Sequence, residues 1–174
     1  NIYFDFKTKL NKSRNKSFVI AVSGGPDSLA LTALSKAYSY EKKIKFYYVL
    51  INHKLRKNSS KEALQVKKLL KKYQIYLNIL TNFKPIKKNI QSEARKLRYE
   101  LLAKFCKKKN VKTILTAHNL EDQVETFFIR LSRGSGLTGL SAMKLSSKIN
   151  KKLKLFRPLL NIQKKDLVQI SKRV

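Results

Sequence analysis

Residues 17–28 read Ser-Phe-Val-Ile-Ala-Val-Ser-Gly-Gly-Pro-Asp-Ser. The first seven form a short apolar run between serines, the pattern of a fully buried strand. Ser28–Tyr38 is apolar nearly all round, which reads as a buried helix. Between them lies Ser23-Gly24-Gly25-Pro26-Asp27-Ser28. Two glycines let a backbone turn tightly and approach a ligand closely. Proline suits the first turn of a helix, where its missing N–H is no loss. The free N–H groups of a helix start, with the helix dipole behind them, make an anion site. Ser23 and Ser28 add hydroxyl groups. Asp27 is out of place beside an anion unless a cation such as Mg²⁺ bridges the two. No Gly-Lys-Ser/Thr closes the loop, so it is not a Walker A site.

Working outward, Lys45–Asn52 reads as a second strand. Ser59 and Glu62 have the spacing of a capping box, which predicts a helix to Tyr73 with Ala63, Val66, Leu70 and Tyr73 on one stripe. Ile75–Thr81 predicts a third strand, and Asn82–Asn89, with Pro85, a loop. Gln91–Lys109 predicts a helix burying Ala94, Leu97, Leu101 and Phe105, and Val111–Ala117 a fourth strand. Leu120–Arg133 predicts a helix stopped by Gly134. Lys152–Phe156 and Gln163–Lys172 predict a last strand and a last helix. Strands alternating with helices imply an α/β fold: a Rossmann-like parallel sheet with helices on both faces, one domain over residues 1–174. Ligands of such sheets bind beyond the carboxyl ends of the strands. Ser23, His53 and His118 all fall at those ends. A second glycine segment, Gly134–Gly139, matches G-x-G-x-x-G but follows a helix rather than a strand, so it does not read as a dinucleotide site.

Composition sets the bounds. A chain of 174 residues buries roughly 70% of its unfolded surface, and 43% hydrophobic residues suffice for a core. Lys+Arg number 40 against 10 Asp+Glu, a net charge of +30. Abundant Lys, Asn, Ile, Tyr and Phe fit AT-rich coding, which leaves many lysines as solvated surface. The field nonetheless attracts polyanions, with strong salt dependence. Against this background the chain holds five glycines, where about twelve would be usual, all in the two segments named above. Collagen, coiled-coil and mucin-like classes are excluded by composition. No apolar run reaches the ~20 residues of a membrane span, and the N-terminus has no signal-peptide layout. Cys106 is the single cysteine, so a disulfide scaffold, a zinc finger and a paired-cysteine redox centre are all excluded. A reducing cytoplasm is the expected compartment, and an oligomer is compatible with all of this.

Ser23–Ser28 is the SGGxDS signature of the PP-loop ATP pyrophosphatases, which split ATP into AMP and pyrophosphate. Within that family the chain resembles the tRNA(Ile)-lysidine synthases. The matching segments are Val49–Arg56 (VLINHKLR), Ser92–Leu102 (SEARKLRYELL), Thr116–Met143 (TAHNLEDQVETFFIRLSRGSGLTGLSAM) and Arg157–Leu160 (RPLL). It departs from the family pattern at Asn52, Asn119 and Glu121, where Asp, His and Asp are common. Family members continue with further catalytic and tRNA-binding parts, so a truncated N-terminal catalytic domain is expected.

The resemblance implies an activity. ATP would adenylate the ring carbonyl of the wobble cytidine in an isoleucine tRNA with a CAU anticodon. Free L-lysine would then displace AMP, giving lysidine. Ser23, Gly24, Gly25, Pro26, Asp27 and Ser28 are the expected ATP-binding residues, with Asp27 and Asp122 the candidate Mg²⁺ ligands. Asp122, Arg95, Arg98 and His118 are the candidate catalytic residues. Asp122 would hold the lysine ammonium, accept its proton or ligate metal, and its acidic neighbours Glu121 and Glu125 suit a cationic substrate. Arg95 and Arg98, one helical turn apart, would clamp phosphate or RNA. His118 would position the nucleotide.

Overall fold

The structure, a computed structural model, describes residues 1–83, 88–134 and 143–173. Part of the predicted 82–89 loop, with Pro85, and residues 135–139 of the second glycine segment lie outside the described residues. The elements run α1 (Ile2–Lys12), β1 (Ser17–Val22), α2 (Pro26–Glu41), β2 (Lys45–Asn52), α3 (Ser59–Lys72), β3 (Leu77–Thr81), α4 (Ile90–Lys109), β4 (Thr113–Leu115), α5 (Leu120–Ser132), β5 (Ser146–Lys148), β6 (Lys154–Phe156) and α6 (Lys164–Ser171). The strands form one sheet in the order β3-β2-β1-β4-β6-β5, all parallel except β5, which pairs antiparallel with β6.

Alternation along the strands explains the two cores. Phe18, Ile20 and Val22 of β1 face one side with Tyr48 and Leu50 of β2, under α1, α2, α3 and α6. Val19 and Val49 face the other side, under Leu102, Phe105 and Cys106 of α4. On the first side Tyr38 of α2 meets Phe6 edge-on at 6.2 Å between centroids, and Phe18 stacks on Phe46 at 5.5 Å. The Tyr38 hydroxyl donates to Asn11 Oδ1, so this buried ring also satisfies its polar end.

Several sequence expectations shift, each for a local reason. The capping box expected at Ser59 and Glu62 is not formed. Asn58 occupies the N-cap position without a side-chain bond, Ser59 is already helical, and Glu62 pairs instead with Arg56 at 2.9 Å. Two strands start later than expected. Ile75 and Val111 are buried, but their N–H groups donate to Leu70 O and Cys106 O, closing α3 and α4 behind left-handed Gln74 and Asn110. On α4 it is Leu102 rather than Leu101 that reaches the core. Helix α1 is an additional element, capped by Asn1 and buried through Phe6 and Leu10. Polar β5 is another, an edge strand defined only by its pairing with β6. Among the described residues, no helix is long and apolar enough to cross a membrane.

The aromatic contact that docks α1 is testable. Phe6→Ala should lower unfolding free energy by roughly 3–5 kcal/mol, read as a lower urea midpoint with unchanged slope.

Candidate active site

The chain leaves β1 through a bend that only glycine satisfies at one position. Gly24 has φ +88°, and a Cβ there would lie 2.7 Å from Val66 Cγ2 on α3. Gly25 is different: its φ of −76° suits any residue, and its nearest neighbour would be Ser23 Oγ at 3.7 Å. The need for two glycines in the turn therefore narrows to Gly24. Gly25 is the N-cap of α2 and Pro26 begins the helix. At a position where Ser, Thr, Asp or Asn would cap, Gly25 leaves the first-turn N–H groups without a capping side chain.

Ser28 braces this bend from within. Its buried Oγ accepts from the N–H groups of Ser23 (3.2 Å) and Gly24 (3.1 Å) and donates to Gly25 O (2.9 Å). The Ser23 hydroxyl stands 3.0 Å from it at the exposed side.

The bend opens onto a cavity of about 400 Å³ at the carboxyl edge of the sheet. The strand order reverses between β1 and β4, which is where open α/β sheets bind ligands. Ser23, Asp27 and Ser28 line the cavity from the bend, and His53 from the end of β2. Arg95 and Arg98 line it from α4, His118 from the end of β4, and Asp122 from α5. Glu121 is not among its lining residues. Its carboxylate instead accepts the Lys164 N–H at 2.9 Å, tying α6 to α5. Glu125 is exposed and does not line the cavity either.

Asp27 carries the strongest sign of an unmet requirement. Its Oδ1 is buried without a hydrogen-bond partner among the described residues. Burial holds its carboxyl above the usual range; Lys164 opposes this, Asp122 adds to it, the Asn119 side chain opposes it and Glu121 adds to it. Asp122 has one oxygen committed. Asn119 N–H donates to Asp122 Oδ2 at 2.9 Å and Asp122 N–H to Asn119 Oδ1 at 3.0 Å, a capping box that fixes the start of α5. Among the described residues no three acidic, histidine or cysteine side chains converge to hold a metal by themselves. The pair Asp27 and Asp122 does fit Mg²⁺, which takes one or two carboxylates and completes its shell with phosphate oxygens and water.

The opposite wall is cationic. Arg95 lies with its guanidinium 5.3 Å from the Tyr99 ring centroid. His118 Nδ1 is 2.8 Å from Thr116 Oγ1. Burial lowers its pKa, the Arg157 charge lowers it further, and Asp122 pulls the other way. Burial also lowers the His53 pKa, followed by the Arg98 charge, and both His53 ring nitrogens are buried without a partner among the described residues. Arg157 is 7% exposed and donates from Nη1 to Lys144 O (2.9 Å) and Ser147 Oγ (3.0 Å), joining β5 to β6.

Arg157, Asn119, Thr116 and Lys164 were not singled out as site residues from sequence. The signal for Asn119 was present, since a cap residue three before an acid is a helix-start pattern. Lys164 had no local signal, because its closeness to Asp27 arises only from packing of α6 near the bend. Cys106 sits in the second core at 1% exposure, its thiol pushed up to about 12 by burial.

Comparison with known proteins bears on the family and the fold. The tRNA(Ile)-lysidine synthase of Wolbachia pipientis wMel is 41% identical over 172 residues, which are 96% of this chain and 40% of that protein. The tRNA(Ile)-lysidine synthase of Orientia tsutsugamushi (strain Boryong) is 40% identical over 154 residues, 88% of this chain and 34% of that protein. The chain thus spans two fifths or less of the length of these curated relatives. Among solved structures, the U34-tRNA thiolase NcsA from Methanococcus maripaludis with its [4Fe-4S] cluster superposes with a TM-score of 0.76 at 20% identity, covering 98% of this chain and 63% of that one. The NH3-dependent NAD synthetase from Campylobacter jejuni gives 0.57 at 17% identity, covering 99% and 69%. At such identities the likeness is one of fold. The model of the family described as the PP-loop domain matches residues 2–174, and with the glycine bend, the reversal of strand order and the convergent cavity in place, the chain belongs to the PP-loop domain family.

Proposed function

We propose that this domain carries out ATP-dependent modification of a tRNA. ATP adenylates the ring carbonyl of the wobble cytidine in tRNA(Ile) with a CAU anticodon, and free L-lysine then replaces AMP to form lysidine. The observation that carries the reading is the single cavity shared by the Ser23–Ser28 bend, Asp27, Asp122, Arg95 and Arg98. The 36–41% identity to proteins named tRNA(Ile)-lysidine synthase supports the same choice.

In the first step the carbonyl oxygen of cytidine attacks the α-phosphorus of ATP. The bond to the β-phosphate oxygen breaks, and pyrophosphate leaves with its electron pair. The uncapped N–H groups at the start of α2 and the Ser23 hydroxyl face the charge that develops. Asp27 and Asp122 would hold Mg²⁺, which would supply further neutralisation of phosphate charge. Arg95 and Arg98 hold phosphate, of the nucleotide or of the RNA backbone. In the second step an amine of lysine attacks the ring carbon and passes a proton to Asp122 or to water, and AMP departs with the former carbonyl oxygen. His118, kept neutral by burial and nearby arginines, positions the nucleotide. Asp122 attracts the lysine ammonium into the cavity.

The direct assay measures AMP release from ATP and Mg²⁺ by the complete protein with a CAU-anticodon tRNA. Release should depend on both lysine and tRNA; release that ignores lysine would sink the proposal.

Two variant series follow from the geometry. Gly24→Ala should destabilise the fold by at least about 1 kcal/mol, because it places a side chain in the left-handed region and against Val66. Gly25→Ser should leave the thermal midpoint equal or higher, since serine is a better cap, while weakening ATP binding about tenfold or more in calorimetry. Equal ATP affinity would show that the uncapped N–H groups are not used.

The Asp27 pKa is raised on folding, so its ionisation opposes folding as pH rises from the usual carboxylate range. Asp27→Asn should therefore raise the ligand-free thermal midpoint at pH 7, with the gain shrinking as pH falls toward that range. The same variant should abolish ATP-dependent turnover. A midpoint lower than wild type at pH 7 would contradict the buried-charge account.

A further inference from the structure

Phe83 stands two residues beyond β3, at the carboxyl edge where the cavity opens, and is 81% exposed. Lys54, which lines the cavity, places its Nζ 4.8 Å from the centre of the Phe83 ring. Both residues are set by Asn52, the last residue of β2. Asn52 O accepts the Asn82 N–H at 2.8 Å, extending the β2–β3 ladder to the residue before Phe83. Asn52 Oδ1 accepts the Lys54 N–H at 3.0 Å and accompanies a φ of +53° at Lys54. Asn52 itself is buried, and its Nδ2 donates to Ser60 Oγ. Arg56, a further lining residue, adds a second cation to the same rim, paired with Glu62 through Nη2 at 2.9 Å.

A lone exposed aromatic is ordinary on a protein surface. Tyr76 is 79% exposed and Tyr40 72% exposed. Phe83 differs in three respects that bear on one ligand: high exposure, the Lys54 cation over its ring, and a place on the rim of the candidate active site. An aromatic ring flanked by cations is how proteins hold single-stranded nucleic acid, with bases stacked on the ring and phosphates on the cations. We propose that Phe83 is the stacking platform for an unpaired nucleobase of the RNA substrate, and that Lys54 and Arg56 hold the adjoining phosphates. Resting on the reading of the cavity as a tRNA-modifying site, this assigns Phe83 a role in placing the loop nucleotides next to the reacting one. A base that must enter a cavity leaves its own stack, and a ring at the mouth offsets part of that loss.

The chain has no tryptophan, so Phe83→Trp introduces a single indole reporter. Tyr76→Trp provides a control, because residue 76 precedes β3 and lies at the opposite, amino edge of the sheet. Each variant is titrated with an anticodon stem–loop RNA, and binding is followed independently by anisotropy of labelled RNA. At saturation the indole emission of Phe83→Trp should be quenched by about half or more, as stacking on a base requires, and that of Tyr76→Trp little changed. Phe83→Ala and Phe83→Leu should weaken RNA binding roughly 5- to 100-fold, Phe83→Tyr should retain it, and ATP binding should be the same in all. RNA binding without quenching in Phe83→Trp, equal quenching in the two indole variants, or full affinity in Phe83→Leu would overturn the stacking role while leaving the proposed function standing. Absence of RNA binding by the wild-type chain at low salt would overturn both.

Discussion

Gly24, at φ +88° with Val66 Cγ2 pressed toward its missing Cβ, turns the chain between the central strand and the first helix of the sheet's carboxyl edge. The turn aims the start of α2 across that edge, and the Ser28 hydroxyl holds it there from inside. Because β1 is also where the strand order reverses, the gap beside it is open on the β4 side. The cavity, its acidic pair and its arginines are all arranged around this one bend. Any side chain at position 24 would press on the Val66 methyl of α3, which lines the cavity.

Electrostatics divides the cavity in two. A chain of net charge +30 retains Asp27 where burial disfavours an acid, with Asp122 in the same cavity. Capping accounts for one oxygen of Asp122, while Asp27 Oδ1 has no partner among the described residues. An unpaired buried acceptor beside exposed helix N–H groups is the environment expected where a cation and an anion bind together. On the facing wall Arg95 and Arg98 project from α4, and Arg157 lies buried behind His118. Among the described residues, Asp27 and Asp122 form no ion pair with Arg95 or Arg98, whereas Arg56 and Glu62 of the same lining do pair. The ion pairs present elsewhere, such as Lys9–Asp5 and Lys7–Glu41, join the peripheral helix α1 to itself or to α2.

Much of the fold was legible because the signals were local. Lys45–Asn52 as β2 and Gly134 as the stop of α5 are decided by short-range patterning and turn chemistry. The misses occurred where local patterns compete. Ile75 and Val111 look like strand residues but serve as the apolar residues that close α3 and α4. Ser59 and Glu62 have capping spacing, yet the Asn52 side chain engages neighbouring Ser60 and Glu62 turns to Arg56. Asn119 and Asp122 form the capping box that the spacing of other residues had suggested elsewhere. The site followed the same division. The bend residues, His118, Arg95, Arg98 and Asp122 could be named from motifs, whereas Lys164 and Arg157 act on the cavity through packing between distant segments.

The sequence by itself determined the alternation of strands and helices, the phosphate-type bend after the first strand, and the family to which the motifs belong. These depend on residue type and spacing within a few turns of chain, where φ, capping and apolar period act directly. Only the tertiary structure decided that Gly24 and not Gly25 is sterically required, that Ser28 braces the bend, and that Asp27 has an oxygen unpaired among the described residues. Those outcomes depend on what lies across the sheet edge, on Val66 of α3 and on Asn119 and Lys164 from later elements. Distances of that kind are set by how sheet and helices pack, and no spacing along the chain encodes them.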